Sequence, residues 1–175
     1  MTKYYKTASV LTEEQPDGSL ENVKREFLIE AATFGDAESS SIVFLTDMTN
    51  FKETICIEKV EKSKISDLLF NDSFEVDKEI KHGLMEYSLL EGSALYAVEV
   101  EYAEENDKGK IKKTKDTVWC PAVSPTDAIS LVDEYLRSVE QRDYEIKGVK
   151  YSKISHVMVL PETYQKHINR FDSAA

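Results

Sequence analysis

Hydrophobic and polar positions alternate in short, regular bursts along this chain. Tyr4 to Leu11 is rich in Tyr, Thr and Val and predicts a strand. A polar stretch follows, with Pro16-Asp17-Gly18 as a turn signal: proline presets φ and glycine accepts φ > 0. Asn22 to Ala32 predicts the returning strand, with Val23, Phe27 and Ile29 set against Lys24, Glu26 and Glu30. Thr33 is suited to cap a helix, and Asp36 favours its positive end; that helix is expected to stop at Asn50. Thr54 to Val60 predicts a third strand, and Ser63 to Phe70 a short strand or turn.

The same order returns later. Leu95 to Tyr102 predicts a strand, Glu104 to Lys113 a charged hairpin loop, and Thr117 to Val123 its partner. Ser124 caps a helix whose first residue is Pro125, and Ala128, Leu131, Val132, Tyr135, Leu136 and Val139 keep a three-four rhythm. Tyr144 to Tyr151 and Ser152 to Val159 predict two more strands, Pro161 ends them, and Glu162 to Phe171 predicts a short helix. Between the two series, residues 71–93 read as an acidic connector with a helical piece bearing Ile80, Leu84, Tyr87 and Leu89.

The two series share residues as well as order. Val60-Glu61-Lys62-Ser63-Lys64-Ile65-Ser66 returns as Val149-Lys150-Tyr151-Ser152-Lys153-Ile154-Ser155. Tyr5 matches Tyr96, Gly18 matches Gly109, Lys24 matches Lys115, and Asp36-Ala37 matches Asp127-Ala128, all at an offset of 91. After the helix the offset falls to 89. The expected fold is therefore α+β: two tandem copies of a β-β-α-β(β) unit, mostly antiparallel sheet with helices on one face, in a pseudo-two-fold arrangement. The first repeat is expected at 1–70, the connector at 71–93, the second repeat at 94–160 and a C-terminal tail at 161–175.

Composition narrows the function classes. The chain has 175 residues, 41% hydrophobic and 31% charged, enough for a buried core. The net charge of −11 repels nucleic acid and anionic membranes except where lysines gather. No apolar run approaches the ~18 residues of a membrane span, and the first residues lack the apolar core of a signal peptide. The expected location is the cytoplasm of a bacterial host. Cys56 and Cys120 lie in apolar runs without CxxC spacing and are expected to be buried, reduced thiols.

The residues also carry a family resemblance. An N-terminal Tyr-Tyr strand precedes Val23-Lys24-Arg25-Glu26-Phe27-Leu28-Ile29-Glu30-Ala31-Ala32-Thr33-Phe34-Gly35-Asp36-Ala37-Glu38. Ser66-Asp67-Leu68-Leu69-Phe70, an aromatic-led strand near Tyr96 and Asp143-Tyr144-Glu145-Ile146 follow. Over residues 3–160 the chain resembles an uncharacterised, duplicated domain-of-unknown-function family of gut Bacteroidetes and their tailed phages. The resemblance implies a bacterial or phage origin and assigns no functional residue.

Catalytic signals are weak. His82, His156 and His167 stand apart from one another, and the counterpart of His156 in the first series is Asp67. No glycine-rich phosphate loop occurs. No catalytic residue, metal site or cofactor is expected, and the chain is not expected to be an enzyme. Two binding readings remain. Acidic charge and open strand edges suit a protein-interaction or self-assembly module acting on a host or phage partner. Alternatively, Lys110, Lys112, Lys113 and Lys115 on a basic hairpin, with Tyr5 and Tyr96 as stacking surfaces, suit single-stranded nucleic acid.

Overall fold

The computed structural model describes residues 3–139 and 143–174. Its secondary structure is mixed, mostly sheet, and the chain divides into two compact units. Unit 1 comprises residues 1–63, 75–88 and 153–175; unit 2 comprises 64–74 and 89–152.

In unit 1, β1 (Lys3–Glu14) and β2 (Leu20–Ala31) form a long antiparallel hairpin. Its loop closes through the Gln15 amide on the Ser19 carbonyl at 2.8 Å, with Gly18 at φ +85°. Thr33 then caps α1 (Phe34–Thr46), its hydroxyl oxygen accepting from the Asp36 amide. A 3-10 turn (Lys52–Thr54) leads into β3 (Cys56–Lys62), which pairs antiparallel with β1 across a bulge at Ala8/Ser9. Tyr5, Phe27, Ile29, Ala37, Phe44 and Leu45 form the core under α1.

Residues 71–93 depart from expectation. The segment contains a β-hairpin, β5 (Phe74–Lys81) and β6 (Leu84–Leu89), where a helical piece was anticipated. The physical cause is the turn: His82 and Gly83 both hold positive φ, 51° and 78°, the twist that joins two strands through two residues. Leu84, Met85 and Tyr87 are all buried because β6 lies inside the sheet.

Unit 2 builds the same hairpin from β7 (Ala94–Glu105) and β8 (Ile111–Ala122). Its loop closes at 2.8 Å from the Asn106 amide to the Lys110 carbonyl, with Gly109 at φ +76°. Ser124 caps α2 (Pro125–Ser138) with Pro125 in the first turn. β9 (Tyr144–Tyr151) pairs antiparallel with β7 across a bulge at Glu99/Val100. Tyr96, Val98, Val100, Val118, Cys120, Ala128, Val132 and Leu136 make the core.

The remaining short strands complete the opposite series. β4 (Asp67–Leu68) follows β3 in the chain but pairs, parallel, with β8 in unit 2, Asp67 opposite Val118. β10 (Ile154–Val159) follows β9 but pairs, parallel, with β2 in unit 1, His156 opposite Phe27. The sheets thus run β3-β1-β2-β10-β6-β5 and β4-β8-β7-β9.

Helices on one face describes α1 and α2, but not α3 (Pro161–Ala174). Its partners Tyr87 and Glu30 belong to the face of the six-stranded sheet opposite the α1 core, because Glu30 alternates with Ile29 and Tyr87 pairs with Val157 beside Leu28. Glu30 accepts from the Leu160 amide at 2.9 Å and the Thr163 hydroxyl at 2.7 Å, so a strand carboxylate caps the first turn of α3. His167 Nδ1 lies 2.9 Å from the Tyr87 hydroxyl in a buried pair. The cysteines split: Cys120 is buried as expected, whereas Cys56 is exposed, because β3 is an edge strand with half its side chains facing water.

Candidate functional site

Unit 1 holds an open cleft of about 840 Å³ on the α1 side of its sheet. Three segments make it. The end of β1 and its turn bring Glu13, Glu14, Gln15 and Pro16; the chain leaving α1 brings Met48, Thr49, Asn50 and Phe51; β2 and β10 bring Arg25, Ser155 and His156. The segment after α1 is held by Thr49, whose hydroxyl donates to the Thr12 carbonyl and accepts from the Phe51 amide at 2.9 Å. Met48 and Phe51 remain half-buried, leaving an apolar wall open to solvent.

The polar wall is pre-ordered. The Arg25 guanidinium donates to both carboxylate oxygens of Glu13, at 2.9 and 2.8 Å. Beside it, burial and the Arg25 charge push His156 down to about 4, so its ring is neutral at pH 7. Its Nδ1 lies 2.8 Å from the Ser155 hydroxyl and its ring meets Phe27 edge-on, centroids 5.4 Å apart. A fixed guanidinium, a neutral imidazole, an amide at Asn50 and an apolar wall can hydrogen-bond and pack against an extended chain. Among the described residues, no group of three His, Cys, Asp or Glu side chains gathers closely enough to hold a metal.

The residues anticipated for nucleic acid are placed differently. Tyr5 and Tyr96 are 4% and 6% exposed, packed against Phe34 and Tyr151, so neither offers a ring face to a base. Their positions on the helix-covered face explain this. Lys110, Lys112, Lys113 and Lys115 are exposed on the β7–β8 hairpin. Register sets Lys115 opposite Glu101 and Lys112 opposite Glu104, and Lys113 Nζ lies 3.7 Å from Glu101, so the strand beside them offsets much of their charge. The cleft itself was missed. Its signal was the mismatch between the series: Arg25 and His156 stand where the other series has Asp116 and Asp67.

The profile of a described family spans residues 3–162, nearly the whole of this fold. The chain belongs to the DUF4494 family, a domain of unknown function. No curated protein matches the chain. The DUF4494 match takes in all three hairpins, α1 and α2 with their caps, and every lining residue of the cleft. Among the described residues, no helix is long and apolar enough to cross a membrane.

Proposed function

We propose that this DUF4494 protein is a non-enzymatic protein-interaction or assembly module, a phage or bacterial accessory protein acting in the host cytoplasm on a host or phage partner. The observation that carries the reading is the unit 1 cleft: an open trough with one apolar wall, Met48 and Phe51, and one wall of pre-ordered hydrogen-bonding groups. Such a trough suits an extended peptide segment better than a small substrate. The overall charge of −11 favours a partner with basic segments.

We also infer that the chain arose by tandem duplication of one β-β-α-β(β) module, with the two-fold relation this implies. Support comes from the registers: Tyr5 pairs with Ile29 and Lys62, and Tyr96 pairs with Cys120 and Tyr151, at the same two offsets, with equivalent bulges. The two parallel pairings match in the same way.

Affinity capture from the native host tests the function, comparing the wild-type chain with Phe51→Glu. The reading expects a defined partner, captured by wild type and lost with the variant, or concentration-dependent self-association by light scattering that the variant abolishes. A monomer with no partner lost on substitution rejects it. The alternative, single-stranded nucleic-acid binding, keeps one supporting observation, the exposure of Lys110, Lys112 and Lys113. It expects salt-sensitive binding of labelled single-stranded DNA that is lost when those three become Glu.

A further inference from the structure

β9 is the outer strand of the unit 2 sheet: among the described residues it pairs with β7 and with no other strand. Ser152, just past its end, donates its amide to the Leu95 carbonyl at 3.2 Å, and the Asp143 carbonyl, just before it, accepts from the Ala103 amide at 2.8 Å. Backbone groups of an antiparallel strand alternate between its two sides. Counted in from both ends, Tyr144, Ile146, Val149 and Tyr151 turn their N–H and C=O away from β7. Both ends agree because Lys147 is an extra, bulged residue: Gly148 pairs with Glu99, and Ile146 with Val100, the next residue along β7. Tyr144, Ile146, Val149 and Tyr151 also share the α2 side, opposite Tyr102, Val100, Val98 and Tyr96. Glu145, Lys147 and Lys150 share the other side, where Lys147 Nζ is 3.9 Å from Glu101 and Lys150 Nζ 3.3 Å from Glu99.

Set antiparallel to a copy of itself, this strand matches. With Lys147 across from Gly148, which has no side chain, Ile146 meets Val149, Glu145 meets Lys150 and Tyr144 meets Tyr151. Each pair shares a face, and outward backbone groups meet outward ones. Without the bulge the same register would oppose side chains on different faces, because residues an odd number apart in a regular strand point to opposite sides. Sliding the copies by one residue sets Glu145 against Val149 or Tyr151 instead. Bulges and lysines commonly keep an edge strand from pairing. β3, the same edge of unit 1, has the equivalent bulge, yet there Cys56 would meet Glu61 and Ile55 would meet Lys62. The framework therefore does not require the self-complementarity of β9, nor an aromatic ring at Tyr151, which is 65% exposed.

We propose that β9 is the docking edge for a second copy of this chain, giving a two-fold dimer in which the β9 strands pair antiparallel and join two four-stranded sheets. The inference goes beyond the cleft reading and uses none of the residues that line the cleft. Main-chain hydrogen bonds supply the attachment, and the Glu145–Lys150 and Tyr144–Tyr151 pairs, each formed twice, fix the register. Glu145 and Lys150 are free to form them: their side chains are 69% and 75% exposed, in surface pairs with Lys147 and Glu99 that are worth little. One strand pair is a small interface, so the dimer exchanges with monomer. A two-fold pairing occupies the edge on both chains, so growth stops at two.

The test is sedimentation equilibrium of the full chain up to millimolar concentration, with amide hydrogen exchange followed by NMR on the same samples. Expected is a monomer–dimer equilibrium in which the Ile146 and Val149 amides gain protection as concentration rises. Glu145→Lys or Lys150→Glu alone sets like charges across the axis twice and should weaken the dimer about tenfold. Combining Glu145→Lys with Lys150→Glu in one chain restores both pairs and should recover the dimer, as should an equimolar mixture of the two single variants. Asp107→Lys and Lys108→Glu change the net charge equally on the β7–β8 turn and should alter the dimer less than twofold. A chain that stays monomeric at every concentration overturns the proposal, as does a dimer indifferent to both single variants. So does failure of both recoveries, and so does equal weakening by the turn variants, which would mean diffuse charge. Phe51→Glu should leave the dimer intact. Self-association lost in Phe51→Glu but not in Glu145→Lys would keep the assembly reading, with the cleft as its surface, and remove the β9 edge. A monomer that captures a host partner through Phe51 would likewise keep the interaction reading alone. A dimer through β9 with no partner lost in Phe51→Glu would reject the cleft and leave this edge standing.

Discussion

Single side chains divide sharply by environment. Burial pushes the Cys120 thiol up to about 12, so it has almost no thiolate at pH 7, whereas Cys56 is exposed on β3. A thiol reagent should therefore modify one cysteine in the native protein and the second only after unfolding; two fast-reacting thiols would contradict the packing of β8. His156 makes a pH prediction. Its folded value, about 4, lies below the ordinary 6.5, so the unfolded chain binds the extra proton first. The stabilisation is full above about pH 6.5 and is lost as pH falls toward 4, on the order of 2–3 kcal/mol. Denaturant melts between pH 7 and 4 should show a shallower decline in His156→Gln than in wild type.

Elements are set by local signals where those signals exist and by neighbours where they do not. Both long hairpins were legible from Pro16-Asp17-Gly18 and Lys108-Gly109-Lys110, and both helix starts from Thr33 and Ser124-Pro125, because turn and cap chemistry act within four residues. The β5–β6 hairpin was not. Ile80, Leu84 and Tyr87 imitate a helical stripe, and the left-handed His82 that defeats it is a property of backbone geometry rather than residue type. The cleft was equally hidden, since it joins Glu13, Thr49 and His156 across most of the chain. α3 makes the element-scale prediction. Glu30→Ala removes its capping carboxylate and leaves the Leu160 amide and Thr163 hydroxyl to find other acceptors, costing about 1–3 kcal/mol. Limited proteolysis should then cut first after residue 160; unchanged cleavage and stability would sink the capping role.

At the scale of the molecule, the pairing of β4 with β8 and of β10 with β2 binds the two halves of the sequence into a mutual dependence. Separately expressed residues 1–89 and 90–175 should each lack cooperative thermal unfolding, and equimolar mixing should restore it, as measured by circular dichroism. Two halves that melt cooperatively on their own would show that these strands are accessories.

That arrangement also orders events on the ribosome. Most chains can finish their first domain while the rest is still being made. Here the sheet that contains the first strand waits for residues 154–159, which emerge after nearly everything else, while the second unit has all its strands once Tyr151 is out. The nascent protein therefore completes its later-made unit first, and β2 stays a bare edge through most of synthesis, a long window in which a chaperone has something to hold.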